Sequence, residues 1–268
     1  MADAASFFDR AATRYEIDFG DASVWSIAHR VAARILDDHL RESPPDRVLD
    51  VGCGTGKWGM PFIRRGASVT FTDVSQSMLA TAVGTATELA RDADVRGFCV
   101  PVEAMSGTVG TGAFDLTLCM GDPLSYCGDH REGIAELVAV TRPGGTIFLS
   151  VDSRLGYLRV FKERDGYDLR RLREYLRTGE LISWEDLPIH TFLPGELRDG
   201  FAAAGAGCRG LWTLPTVSAY FLFDPAFREM LEDEAFREEL TDIEIEALGM
   251  GQAPPGSHHI YALFVRDE

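Results

Sequence analysis

The chain has 268 residues, 46% of them apolar and 25% charged, and 26 Lys+Arg against 42 Asp+Glu give a formal net charge of −16. This composition excludes a disordered, fibrous or collagen-like chain and leaves length enough for a substantial core. The acidic surface repels phosphate backbones and anionic lipid, so neither nucleic acid nor a membrane is expected as a partner.

In chain order, Val24, Ile27, Ala28, Val31, Ile35 and Leu36 recur on one face of a helix over residues 24 to 40, and Pro44-Pro45 ends it. Arg47 to Val51 is a short apolar strand leading into glycines, with a helix expected from about Lys57. Ala67 to Thr72 is a second strand, closed by Asp73, and Ser75 caps a helix over Met78, Leu79 and Ala82. Val95 to Val100, Phe114 to Met120 and Thr146 to Val151 read as further strands. A helix is expected over Arg131 to Thr141, broken by Arg142-Pro143-Gly144-Gly145.

After Asp152 the alternation fails. The stretch to His190 is rich in Arg and Tyr and reads as helical, Leu193 to Gly205 as a helix with a glycine stop, and Leu211 to Phe223 as a strand region. Asp224 to Leu248 reads as an acidic helical stretch and His259 to Val265 as a last strand. The alternation predicts an α/β fold: a Rossmann-like, doubly wound, mostly parallel seven-stranded sheet with helices on both faces. Residues 1–43 are expected to form an N-terminal helical lid and 44–268 the main domain, with insertions at 152–192 and 222–250 as a helical substrate cap.

Five cysteines (Cys53, Cys99, Cys119, Cys127, Cys208) include no Cys-x-x-Cys and no His at zinc spacing. They read as small buried thiols in a reducing cytoplasm, and no metal is expected. A membrane span needs roughly 18 uninterrupted apolar residues, which no stretch provides, and Met1 to Ser6 lacks the features of a secretory signal.

Val48-Leu49-Asp50-Val51-Gly52-Cys53-Gly54-Thr55-Gly56 carries the strongest signal: a strand runs through Gly-x-Gly-x-Gly into a helix, so that a ligand can approach the backbone. A phosphate-binding Walker loop is excluded, because Val51 stands at its first glycine and Trp58 at its hydroxyl. A dinucleotide fingerprint fits Gly54, Gly56 and Gly59, but two residues too far from the strand. The third reading is S-adenosylmethionine (SAM).

Here the chain resembles the class I SAM-dependent methyltransferases of small-molecule type. The matching residues are VLDVGCGTG at 48–56, VTFTDVSQSML at 69–79, FDLTLCMGD at 114–122, TRPGG at 141–145 and TFLPGELRDGFAAAG at 191–205. The resemblance implies SAM as cofactor, with Gly52, Cys53, Gly54 and Gly56 under its methionine and ribose portions. It further implies that Asp73 holds both ribose hydroxyls and that Asp50 orients the loop and the ammonium group. Val74, Met78, Met120 and Tyr15 are expected to line the cofactor. Pro101 stands where many relatives have an adenine-facing Asp, which passes that contact to Val102 and Glu103.

Methyl transfer asks chiefly for alignment, and proximity can supply roughly 7–11 kcal/mol. Two candidates for chemistry, Asp122 and Tyr126, follow from position beyond the strand ends, and the resemblance adds His190, because relatives often place pocket residues just before the 193–205 helix. Asp122 would orient an acceptor, Tyr126 border the pocket and His190 act as base; their plainer readings are a turn before proline, a core aromatic and a loop histidine. The segment Phe7 to Glu16 resembles the cofactor-covering lid of relatives.

Residues 153–177 hold eight Arg/Lys and four acids, a local +4 that suits an anionic small-molecule substrate, a solvated helix face, or pairing with residues 224–246, which carry −8. The expected activity is methyl transfer to N, O or C of a small molecule by a monomer or homodimer. A SAM-using enzyme without methyl transfer, such as a cyclase, a non-catalytic SAM-binding module and an NAD-dependent oxidoreductase are the alternatives.

Overall fold

Five apolar runs assemble side by side in parallel: β1 (Arg47–Val51), β2 (Ser68–Asp73), β3 (Val95–Cys99), β4 (Phe114–Cys119) and β5 (Thr141–Asp152). The computed structural model describes residues 3–15, 23, 25–90, 93–222, 224–250 and 257–268. Glu16, Val24 and Phe223, each part of a pattern above, lie outside them. A short hairpin, β6 (Glu180–Ile182) and β7 (Pro188–His190), stands apart. β8 (Ala206–Leu214) and β9 (His259–Arg266) complete the main sheet, β9 running antiparallel to both β5 and β8. The order is β3-β2-β1-β4-β5-β9-β8, the mostly parallel seven-stranded sheet that the sequence predicts.

Strand side chains alternate between faces, and the core splits accordingly. Val48, Leu116, Phe148 and Leu263 pack on one side with helices α1 (Ala4–Ala11) excluded and α2 (Ser26–Leu40), α3 (Met60–Arg64) and α4 (Gln76–Leu89) included. Between β3 and β5 come two single-turn helices, α5 (Ser106–Val109) and α6 (Pro123–Tyr126), and then α7 (His130–Val140). Past β5 lie α8 (Leu158–Asp165), α9 (Leu169–Thr178), α10 (Pro194–Ala204), α11 (Pro225–Met230) and α12 (Glu234–Leu248). On the other sheet face, Leu49, Ile147, Leu149 and Phe264 pack against Ile134 and Leu137 of α7 and Leu197 and Phe201 of α10.

Local chemistry sets several boundaries. Ser75 accepts the Met78 N–H and starts α4, Asp129 accepts from Arg131 and Glu132 and starts α7, and Gly205 ends α10 in the left-handed region. Other boundaries depart from the sequence pattern. The helix after the glycine loop begins at Met60, not Lys57, because residues 52–59 are spent in turns. The Arg142-Pro143-Gly144-Gly145 run lies inside β5 as an irregularity in its pairing with β4, where strand neighbours capture it. The supposed strand region from Leu211 ends at Leu214, followed by a single 3₁₀ turn at Ser218–Tyr220. Within 152–192 the β6–β7 hairpin accompanies the helices.

The acidic stretch has a partner other than the basic segment. Arg30 of α2 meets Glu234 at 2.8 Å and Glu238 at 3.2 Å, and Arg34 meets Glu238 at 3.4 Å and also Asp242. Beneath these exposed pairs Ile27 packs with Phe227, Leu231 and Leu240. Glu244 is fully buried and accepts hydrogen bonds from Thr216 N, Val217 N, Ser218 N and Ser218 Oγ at 2.6–3.0 Å. The acidic helix therefore braces α2 and the loop after β8. Among the described residues no helix is long and apolar enough to cross a membrane.

Candidate active site

The carboxyl ends of β1, β2 and β4 meet along one edge of the sheet, and their loops form a cradle. Gly52 and Gly54 adopt φ of 60° and 53°. A Cβ on Gly52 would lie 2.3 Å from Pro123 Cγ, so only glycine permits both this turn and the approach of the α6 start. Asp73, at the end of β2, accepts Gly54 N–H through Oδ2 and Ser75 N–H through Oδ1, both at 2.8 Å. Burial raises the proton affinity of this carboxyl, and the N–H groups of Ser75 and Gly54 offset part of that rise. A carboxylate has further lone-pair sites, so Asp73 can still accept from vicinal hydroxyls.

A cavity of about 260 Å³ opens over this cradle. Tyr15, Gly52, Gly54, Asp73, Val74 and Met78 line it, and Val100, Pro101, Val102 and Glu103 form its far wall. The Glu103 carboxylate accepts the Gly128 and Asp129 N–H groups, which fixes it to that loop. From above, α1 is clamped to the start of α4: Asp9 Oδ1 accepts from Ser75 Oγ at 2.6 Å and from Ser77 N at 3.0 Å.

Other expected residues sit elsewhere. Asp50 is buried beneath the loop and lines neither this cavity nor its neighbour; a Cβ on Gly59 would be 3.1 Å from its Oδ2. Burial pushes the Asp50 carboxyl well above the usual range, the Gly59 N–H opposes this, and the Asp73 charge adds to it. Gly56 faces the core, where a Cβ would strike Met60, Ala82 and Phe71.

A second chamber of about 190 Å³ adjoins the first. Cys53 and Met120 belong to its wall, with Trp25, Trp58, Tyr126, Tyr157, Trp184 and Tyr261 making much of the rest. Asp122 and His259 line it as well. Asp122 holds φ at 67°, an uncommon conformation for a residue with a side chain. Ser150 Oγ accepts Gly121 N–H at 3.0 Å and Asp122 N–H at 3.3 Å, tying that turn to β5.

The register of β5 on β9 pairs Asp152 with His259, a combination that sequence reasoning missed. Burial alone would depress the His259 ring, but the Asp122 carboxylate, with Asp152 behind it, pushes it up to about 9. Burial also raises Asp122, yet His259 outweighs it and holds the carboxyl below the usual range. Asp152 goes the other way: burial pushes it well up and the Asp122 charge adds to that, against His259 and the Tyr157 hydroxyl. The one available signal was that Asp152 ends a strand-like run on the edge where such folds bind ligands. Nothing local marks His259, Trp25 or Trp184.

His190, the candidate base, stands apart from both chambers. It sits on β7, with Nδ1 2.7 Å from Glu180 Oε1 and its ring stacked on His130 at 3.8 Å. It lines a cavity with Arg131 and Phe192 rather than either chamber described above. The cations of the basic segment give no support for an anionic substrate: Tyr157 of that segment lines the second chamber, but none of its eight cations lines either one. Arg154 is buried, donating to Thr191 O at 2.8 Å and Glu196 at 2.7 Å; Arg159 pairs with Glu163 and Arg164 with Asp186. No described residue of α11 or α12 reaches a chamber either.

Comparison with known proteins agrees with this geometry. Residues 48–145 match a family model described as a methyltransferase domain. The chain is 30% identical over 160 residues to the ubiquinone biosynthesis O-methyltransferase of Azotobacter vinelandii, covering 56% of this chain and 66% of that protein. It is 32% identical over 171 residues to the demethylmenaquinone methyltransferase of Mycolicibacterium vanbaalenii, covering 59% and 65%. Thus it spans just under two thirds of the length of these relatives. In fold it is similar to the Burkholderia thailandensis 1,6-didemethyltoxoflavin-N1-methyltransferase, solved with S-adenosylhomocysteine, at a TM-score of 0.59 and 19% identity, covering 98% of this chain and 89% of that one. The glycine cradle, the free acceptor sites on Asp73 and the wall from Val100 to Glu103 fit the same cofactor. Residues 48–145 belong to the methyltransferase-domain family, and the chain has the fold of class I S-adenosylmethionine-dependent methyltransferases.

Proposed function

We propose that this chain transfers the methyl group of SAM to a small, planar, aromatic acceptor. The observation that carries the reading is a shared wall: Phe8, Tyr15, Gly52, Gly54, Gly121 and Tyr126 line both chambers. A cofactor on the glycine loop and a molecule in the second chamber would therefore meet across Gly121 and Tyr126. The bound cofactor supplies a sulfonium methyl: a bond forms from the acceptor to the methyl carbon, the carbon–sulfur bond breaks, sulfur keeps the electron pair, and the acceptor gives up a proton.

The chain's own part is alignment and exclusion of water, for which proximity can provide roughly 7–11 kcal/mol. Asp73 and the loop hold the cofactor, and Asp122 with His259 flank the acceptor. Tyr126, whose hydroxyl is 3.4 Å from Glu185 Oε2, borders both partners. We read residues 1–43 as a lid, supported by the Asp9 clamp, and 152–192 as the acceptor cap, through Tyr157, Trp184 and Glu185. The 222–250 segment is a brace rather than a cap.

The aromatic walls favour a planar ring. So do relatives named for ubiquinone biosynthesis and for demethylmenaquinone methylation. Five free thiols suit a reducing cytoplasm.

Calorimetry should show one SAM site per chain, and hydroxylated aromatic compounds incubated with SAM should release S-adenosylhomocysteine. An acceptor consumed without that release assigns the fold to a non-methylating reaction. No SAM binding at all overturns the reading.

A further inference from the structure

We infer that Asp122, Asp152 and His259 form a site for one divalent first-row metal ion, of the Mn²⁺ to Zn²⁺ kind, at the floor of the acceptor chamber. Their donor atoms, one from each residue, all lie within 4.8 Å of one another. His259 Nδ1 is 3.0 Å from Asp122 Oδ2 and 3.7 Å from Asp152 Oδ1. Two ligands held at about 2.1 Å from one ion, roughly 90–125° apart, are themselves separated by about 3.0–3.7 Å. The nitrogen is close to both carboxylates yet points at neither along a hydrogen-bond direction.

Asp152 supplies the independent observation. It is 1% exposed, and neither of its oxygens accepts a hydrogen bond of normal geometry, although the Tyr157 hydroxyl stands beside it. Asp122 Oδ1 is likewise buried without a hydrogen-bond partner. Buried carboxylate oxygens seldom go unsatisfied in native proteins, and a cation is one of the few groups that satisfies several together.

The frame around these ligands is rigid. Asp152 and His259 are cross-strand partners in β5 and β9, and Ser125 Oγ accepts the Asp152 N–H at 2.9 Å. Ser150 and the left-handed turn set Asp122 against them. Two carboxylates and one imidazole are a mixed set: the oxygens suit Mn²⁺, and the ring suits Zn²⁺ and Fe²⁺. Three protein ligands leave a position open, and Asp122 and His259 line the chamber in which an acceptor would lie. An ion there would bind an acceptor oxygen and ease loss of its proton. That role rests on the methyl-transfer reading; ion binding itself does not.

The test uses the full chain without a histidine tag, stripped with chelator and titrated with Mn²⁺ and, separately, Zn²⁺ in the absence of SAM. One ion per chain is expected. Asp152→Asn and His259→Gln should each weaken binding at least about tenfold, since even groups that only orient metal ligands are worth about 10–100-fold. SAM calorimetry on the same variants reports that they are folded, and it fails separately if the cofactor reading is wrong.

The unaltered chain provides a second measurement that needs no core substitution: substoichiometric Mn²⁺ should broaden the His259 ring resonances. Absence of stoichiometric binding, variants that bind as well as the parent, or unbroadened His259 signals would each overturn the site. The three side chains would then be an imidazolium shared between two carboxylates.

Discussion

The two chambers are built by different means. The cofactor chamber is a product of neighbours: Gly52 and Gly54 sit immediately after β1, Asp73 ends β2, and the Gly54 N–H to Asp73 contact closes within 19 residues. The acceptor chamber draws Trp25, Asp122, Tyr157, Trp184 and His259 from five separate stretches of chain. The first depends on backbone geometry that only certain residues permit, the second on the register of distant strands. A motif specifies a backbone shape, whereas a pocket assembled across the sheet has no local signature.

Substitutions can break or sharpen that contrast. The largest expected effect is Asp73→Ala: loss of hydrogen bonds from two ribose hydroxyls to a charged group should cost about 3–6 kcal/mol of SAM affinity. Calorimetry that shows SAM binding undiminished would dissolve the division between the chambers. Next, Glu244→Ala strands the N–H groups of Thr216, Val217 and Ser218, and denaturant unfolding should register a loss of about 2–4 kcal/mol. SAM affinity of the folded fraction should stay unchanged, because Glu244 lies at neither chamber.

Trp184→Ala removes a wall of the acceptor chamber alone. Its expected signature is a rise in acceptor KM of about tenfold, or about 1.4 kcal/mol, with the SAM dissociation constant held. Equal losses for both ligands would mean that the chambers are one site. The smallest effects belong to surface charge and the outer hairpin. Glu238→Lys should cost no more than about 1 kcal/mol of stability, since its pairs with Arg30 and Arg34 are exposed. His190→Ala should leave S-adenosylhomocysteine release by the folded protein within about twofold of the parent, because the ring lines neither chamber. A collapse of activity in that variant would return His190 to the chemistry.

Much of the fold was legible because short-range physics wrote it. Alternating apolar runs set strands, Ser75 and Asp129 set helix starts, and the glycine loop with Asp73 marked the cofactor edge. Tyr126 and Asp122 were picked out by a rule about strand ends, and both line the second chamber. The place of His190 was not legible, because a three-residue hairpin strand leaves almost no pattern, and the fold packs its ring between His130 and Phe192. The basic segment misled for a related reason. Composition counts charges but cannot say that Arg154 points inward to Thr191 and Glu196 while its neighbours pair with nearby acids.

By itself the sequence determined the parallel strands β1 to β5, the last strand β9, the glycine loop and a net charge of −16, all consequences of residue type and spacing over a few positions. Tertiary structure alone decided which charges face which. It set the acidic helix against Arg30 and Arg34 of α2, turned the cations of the basic insertion away from the chambers, and brought Asp152 opposite His259 beside Asp122. The physical reason is range: backbone conformation responds to adjacent residues, whereas a pairing across more than a hundred residues exists only once the sheet has closed.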